Sequence, residues 1–138
     1  MNHFQQQVTG LDELISARLC GATVQVQPIP GAIPVLQVTI EGREELPIFV
    51  TRAEPQVLCI VYLWDDSEVR DDQRVALLET LLDLNVSIPL SSFGRIAGRY
   101  VMYGALARDA SAQDIAQDVA ALSDNSLDAL QALNEFLK

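Results

Sequence analysis

Apolar and polar positions along the chain change period several times, and those changes predict its elements. The run Val57-Leu58-Cys59-Ile60-Val61-Tyr62-Leu63-Trp64 is apolar throughout, with Pro55 before it and Asp65-Asp66 after it. Periodicity alone admits a helix, but β-branched and aromatic residues between breakers favour a strand buried on both faces, at the centre of one sheet. Ahead of it, Val24 and Val26 alternate with Thr23, Gln25 and Gln27 up to Pro28 and Pro30-Gly31. Leu36, Val38 and Ile40 alternate with Gln37, Thr39 and Glu41 up to Gly42-Arg43, and Leu46, Ile48 and Val50 oppose Phe49 and Thr51. Period two with turn residues between the runs predicts three more strands, and short connections make an antiparallel meander the economical topology.

Three stretches switch to helical spacing. Leu11, Leu14, Ile15 and Leu19 follow Thr9, a candidate N-cap with Asp12 three residues on, and precede Gly21, which predicts a helix over about 10–20. Ser67 is a candidate cap for a second helix with an acidic start at Glu68, Asp71 and Asp72. Its stripe is Val75, Leu78, Leu81 and Leu82, broadened by Leu77, and it ends near Asn85 and Pro89. A short strand at Phe93–Ile96 and a longer one at Arg99–Ala107 follow, with Gly98 marking a tight turn or bulge. Finally Ser111 and Asp114 open the longest helical pattern, through Ile115, Val119, Leu122, Ser126, Leu130, Leu133 and Leu137. Ser123-Asp124-Asn125-Ser126 is where that pattern is open to interruption, with Ser126 capping a second piece. The whole predicts a single α+β domain over 1–138: a mainly antiparallel sheet of five to six strands with an N-terminal, a middle and a C-terminal helix, the helices on one face.

Composition narrows the function classes. A chain of 138 residues, 49% hydrophobic, suffices for one core. Its net charge of −10 sets a repulsive field against phosphate, so nucleic acid and anionic lipid are not expected partners. No apolar run approaches the ~20 residues of a membrane span, and the first residues lack a basic region and an apolar h-region, so no membrane insertion and a cytoplasmic location are expected. Cys20 and Cys59 read as small hydrophobes, in the absence of a CxxC pair.

Catalytic constellations are missing from the sequence. His3 is the only histidine, which removes a His-centred triad and a His-rich metal site. Asp65-Asp66 with Asp71-Asp72 lacks the spacing and glycine of a calcium loop and reads as a solvated turn with acidic capping. Gly94, Gly98 and Gly104 come without a Gly-Lys-Ser/Thr element, and Ser91-Ser92 without a paired base. No catalytic, cofactor or metal-binding residue is therefore assigned, and an enzyme is not expected.

What remains is surface. Arg95 and Arg99 share a strand face if Gly98 preserves register, with Arg108 beyond, forming either an anion or docking patch or a set of ion-paired, solvated charges. Residues 109 to 138 carry six carboxylates against one lysine, which suits a solvated outer face, while the opposite side is long and leucine-rich. Leu130, Leu133, Phe136 and Leu137 are the candidate partner-binding positions there, for another protein or a second copy, if the sheet leaves them uncovered. The rival is a small-ligand binder or enzyme with a pocket between helix and sheet near Trp64, Tyr100 and Arg99.

Leu77-Leu78-Glu79-Thr80-Leu81-Leu82-Asp83-Leu84-Asn85, then Tyr100-Val101-Met102-Tyr103-Gly104-Ala105-Leu106, then a last amphipathic helix, resemble the small α+β fold of type III secretion chaperones and YbjN-like domains. Ile88-Pro89-Leu90-Ser91-Ser92-Phe93, Tyr103-Gly104-Ala105-Leu106 and Ala121-Leu122-Ser123-Asp124-Asn125 resemble, over essentially the whole chain, the bacterial YjfI family of unknown function. That resemblance implies a cytoplasmic bacterial protein, often encoded beside a PspA-like membrane-stress protein, with no established catalysis and hence no catalytic residues to transfer. The proline-broken segment at Pro28, Pro30 and Pro34 departs from the secretion chaperones.

Overall fold

The computed structural model describes residues 3–138. A short helix α1 (His3–Gln7) and a second, α2 (Leu11–Arg18), lead into four strands, β1 (Val24–Ile29), β2 (Val35–Ile40), β3 (Ile48–Arg52) and β4 (Gln56–Asp65). Two 3-10 turns precede α3 (Arg74–Ser87); β5 (Ser92–Ile96), β6 (Arg99–Ala107) and α4 (Ala112–Ala132) follow, with a last 3-10 turn at Asn134–Phe136. The six strands form one antiparallel sheet in the order β1-β2-β3-β4-β6-β5, so β4 is central and the first four strands are a meander.

The helices gather on one face, and this corrects the reading of β4 as buried on both sides. Val57, Cys59, Val61 and Trp64 are buried while Leu58, Ile60 and Tyr62 between them are only half-buried. Cross-strand register continues the covered face through Val38, Ile48, Val61, Met102 and Phe93, all buried. On the other face Phe49 and Tyr62 meet edge to face at 6.0 Å, with Arg99 stacked 4.2 Å from the Tyr62 ring centre. A continuous apolar run here reflects a wide half-exposed face, not a second helical layer.

Other boundaries moved for identifiable reasons. Thr9 does not cap α2: its hydroxyl donates to the carbonyl of Gln5, and left-handed Gly10 (φ 76°) stands at the N-cap instead. The residues from His3 on, for which the hydrophobic pattern predicts no element, form α1, anchored by Gln7, whose amide donates to the carbonyls of Arg108 and Ala110 at 2.9 and 2.7 Å. Pro28 does not stop β1, because β1 is an edge strand where a missing donor is tolerated. Ser67 caps nothing; Asp65 and Glu68 form a capping box around the first 3-10 turn. Ala97 and Gly98, both at positive φ (49° and 80°), make the two-residue turn between β5 and β6.

The Ser123–Ser126 stretch does not interrupt α4. Ser123 and Ser126 are buried, and the Ser126 hydroxyl donates to the Ser123 carbonyl. Arg43 reaches Ser123 Oγ and Asp124 Oδ1 at 2.7 and 2.8 Å, and Asn125 donates to Pro89 O and Ser91 Oγ at 3.0 Å. The polar break in the pattern is where two loops are tied to the helix.

Candidate interaction surface

The two stripes of α3 do different things. Leu77 and Leu81 are buried, and Leu84 and Ile88 continue that stripe against the core. Val75, Leu78, Leu82 and Val86, at spacings of three, four and four, point away from it and are 68%, 37%, 69% and 89% exposed. Four of the seven large hydrophobic side chains exposed among the described residues therefore lie on one face of one helix. Such a contiguous apolar strip costs solubility, which scattered surface leucines do not.

Beside the strip, α3 and the β5–β6 hairpin enclose a cleft of ≈ 270 Å³ between Leu78, Leu81 and Leu82 on the helix and Phe93, Arg95 and Tyr100 on the strands. Asn85 sets the distance across it: its side-chain oxygen accepts from Phe93 N at 2.7 Å and its amide donates to Phe93 O at 3.4 Å. The helix is thereby fastened to an edge strand by a two-point bond to one residue.

A charged hub closes one end of the cleft. Asp66 accepts from Arg74 in an ion pair, accepts from the Tyr100 hydroxyl at 3.1 Å and lies 3.7 Å from Arg95. The Arg74 hydrogen bond holds the Asp66 carboxyl below its usual range, and the same bond raises Arg74. Burial, and then Asp66, push the Tyr100 phenol up. Trp64 lies against Tyr100 with ring centres 5.8 Å apart, and Arg95 covers the Tyr100 ring at 5.2 Å. Among the described residues no group of three or more His, Cys, Asp or Glu side chains is placed to hold a metal ion.

The sequence-selected residues fall differently. Arg95 and Arg99 do not share a face: Arg95 is opposite Tyr100 on the covered side, while Arg99 is opposite Ile96 one row on, on the other side. The two-residue turn fixes that register. Arg99 pairs with Asp65 at 3.2 Å, and Arg108 donates to the carbonyl of Glu54. At the C-terminus Leu133 and Phe136 are buried within the chain itself, and Leu130 and Leu137 pack partly against the core. A bridge between Val69 and Leu137, with Lys138 N donating to Glu68 O, explains how the tail is drawn in. The single stripe expected from Val75, Leu77, Leu78, Leu81 and Leu82 is two, and the signal of that in the sequence is more apolar residues than one face of a helix holds.

The chain's match to a family model spans residues 6–137, described as "Uncharacterized protein conserved in bacteria (DUF2170)". It belongs to the DUF2170 family. No curated protein matches the chain. Its fold is similar to that of a chain in the crystal structure of the ExsC–ExsE complex, with TM-score 0.65 at 11% identity, covering 96% of this chain and 97% of that one. It is also similar to a chain in the Yersinia pestis complex of the type III secretion chaperone SycH with a fragment of YscM2 (TM-score 0.54, 15% identity, 88% and 98% covered). A third likeness is to a chain of the ExoU–SpcU heterodimer from the type III secretion system of Pseudomonas aeruginosa (0.52, 16%, 92% and 97%). The DUF2170 chain thus has a secretion-chaperone-like α+β fold, as its helix and strand order predicts. Among its described residues no helix is long and apolar enough to cross a membrane.

Proposed function

We propose that this DUF2170 protein is a non-enzymatic, cytoplasmic interaction module, chaperone-like or adaptor in kind, that binds another protein through α3 and pairs with a second copy of itself. The observation that carries the reading is the uncovered strip Val75, Leu78, Leu82, Val86, whose burial against a partner removes apolar area that the chain leaves in water. Read from either end the strip runs Val, Leu, Leu, Val. Two copies set antiparallel place Val75 against Val86 of the partner subunit, the self-complementarity a two-fold contact needs. The structural neighbours, solved as complexes with other proteins, support a partner-binding role. A PspA-like protein is the candidate suggested by the YjfI resemblance.

Native mass spectrometry and capture of purified PspA-like protein test this, with Leu82→Lys and Val86→Lys as variants. A wild-type dimer, or capture, lost in both variants without change in melting temperature is the expected result. Wild-type protein that is monomeric and captures nothing overturns it. The second reading, a small ligand in the α3–β5 cleft, rests on the Arg95 guanidinium and Tyr100 hydroxyl at the end of an apolar slot. Its ≈ 270 Å³ is at the small end for such sites, which favours the protein partner. A thermal-shift screen of apolar carboxylic acids separates the two, since a ligand at 100 times its dissociation constant adds ~2.7 kcal/mol.

A further inference from the structure

One carboxylate is buried where no described surface function reaches it. Asp118 lies on the inner face of α4 among buried Ile115, Val119 and Leu122, and is 5% exposed. It sits over a directly opposed cross-strand pair, Cys59 of β4 and Gly104 of β6, at the middle of the sheet. The absence of a side chain at Gly104 makes its room: a Cβ there would stand 2.1 Å from Asp118 Oδ2 and 2.5 Å from Oδ1. Oδ2 has no hydrogen-bond partner, and the neighbouring donor is the Cys59 thiol, a weak one. An ionised carboxylate in this position is poorly compensated, and a neutral acid is not.

We propose that Asp118 is a proton-operated latch on α4: with the carboxyl neutral the helix lies closed on the sheet, and with it ionised the helix opens more often. Burial raises the Asp118 carboxyl from the ordinary 3.8 to about 6, with the Cys59 thiol pulling slightly the other way. The thiol itself is pushed well up by burial and then by Asp118, so it stays a donor. Among the described residues only burial and the Cys59 thiol act on the carboxyl. Asp12, Glu13 and Arg18 of α2, which packs on α4, are exposed, as are Asp114, Asp124 and Asp128 of α4 itself. Because the folded chain holds the proton more tightly than the unfolded one, the stabilisation is present below pH 4, and it is lost as pH rises through about 6. From the two values, opening of α4 grows about tenfold between pH 5 and pH 7.5.

The test is a carbon-13 titration of the Asp118 carboxyl together with hydrogen exchange of the α4 amides at pH 5 and 7.5, corrected for intrinsic exchange. A midpoint near 6 and about tenfold more opening at pH 7.5 are expected. Asp118→Asn should flatten that dependence, Cys59→Ser should lower the midpoint by offering a stronger donor, and Cys59→Ala should raise it. A His3→Gln variant controls for the one histidine of the chain. A wild-type midpoint near the ordinary value, or a pH dependence that survives in Asp118→Asn and vanishes in His3→Gln, overturns the proposal. The wild-type titration decides it even where a variant fails to fold.

Discussion

Gly104→Ala is the sharpest probe of how α4 seats on the sheet. The added methyl would stand 2.6 Å from Asp118 Cγ as well as overlapping both carboxyl oxygens. The Asp118 side chain is short and held on a helix whose other inner residues are buried, so the clash is relieved only by rotating the carboxyl into packed neighbours or lifting α4. Overpacking of this kind costs about 1–3 kcal/mol. In a chain of this size that lowers Tm by roughly 3–10 °C. The discriminating variant is Gly104→Ala combined with Asp118→Ala, in which the new methyl enters the space the carboxyl has left. Urea unfolding of the four proteins at pH 7 closes a double-mutant cycle, and Gly104→Ala should cost less than about 0.5 kcal/mol in the Asp118→Ala background. Equal costs in both backgrounds, or no cost in either, would refute the account of Gly104 as the space reserved for that carboxylate.

Leu77→Ala should cost about 2–5 kcal/mol by opening a cavity, while Val86→Ala on the opposite side of the same helix should stay within about 0.5, as chemical denaturation will show. Asn85→Ala removes both bonds to Phe93 and should destabilise by about 1–2 kcal/mol, with hydrogen exchange accelerating first in β5. Arg43→Ala, which breaks a partly exposed pair, should cost no more than about 1 kcal/mol and speed exchange in the last turns of α4 at low salt.

Local chemistry made much of this architecture legible. Alternation of Leu36, Val38 and Ile40 against Gln37 and Thr39 specifies which side of β2 is covered, and all three apolar residues are buried. Ser111 caps α4 as its capping pattern predicts, its hydroxyl accepting from Asp114 N at 3.1 Å. The surface was harder to read. The same leucine spacing serves Leu81, which is buried, and Leu82, which is not, because a helix lodged beside the sheet edge has only one side to cover. Phe136 and Leu137 look like a free greasy end until the backbone bonds to Glu68 and Arg70 fold them back, a long-range pairing with no local signature. By sequence Asp118 is one of six carboxylates that suit a solvated outer face of the last helix. Its position between Ile115 and Leu122 is the available clue; Gly104, on the strand just before α4, can be matched to it only once α4 is folded back over the paired β4 and β6.

The two borders of the sheet are chemically unequal. On β1 Pro28 interrupts the row of amide donors, so an extended segment from a neighbouring molecule would find a gap exactly where its ladder must continue. On β5 no proline intervenes across Ser92–Ile96, but the Asn85 side chain already occupies both backbone groups of Phe93. Growth by strand addition is thus obstructed at both margins, by a missing donor on one and by a side chain seated on the backbone of the other.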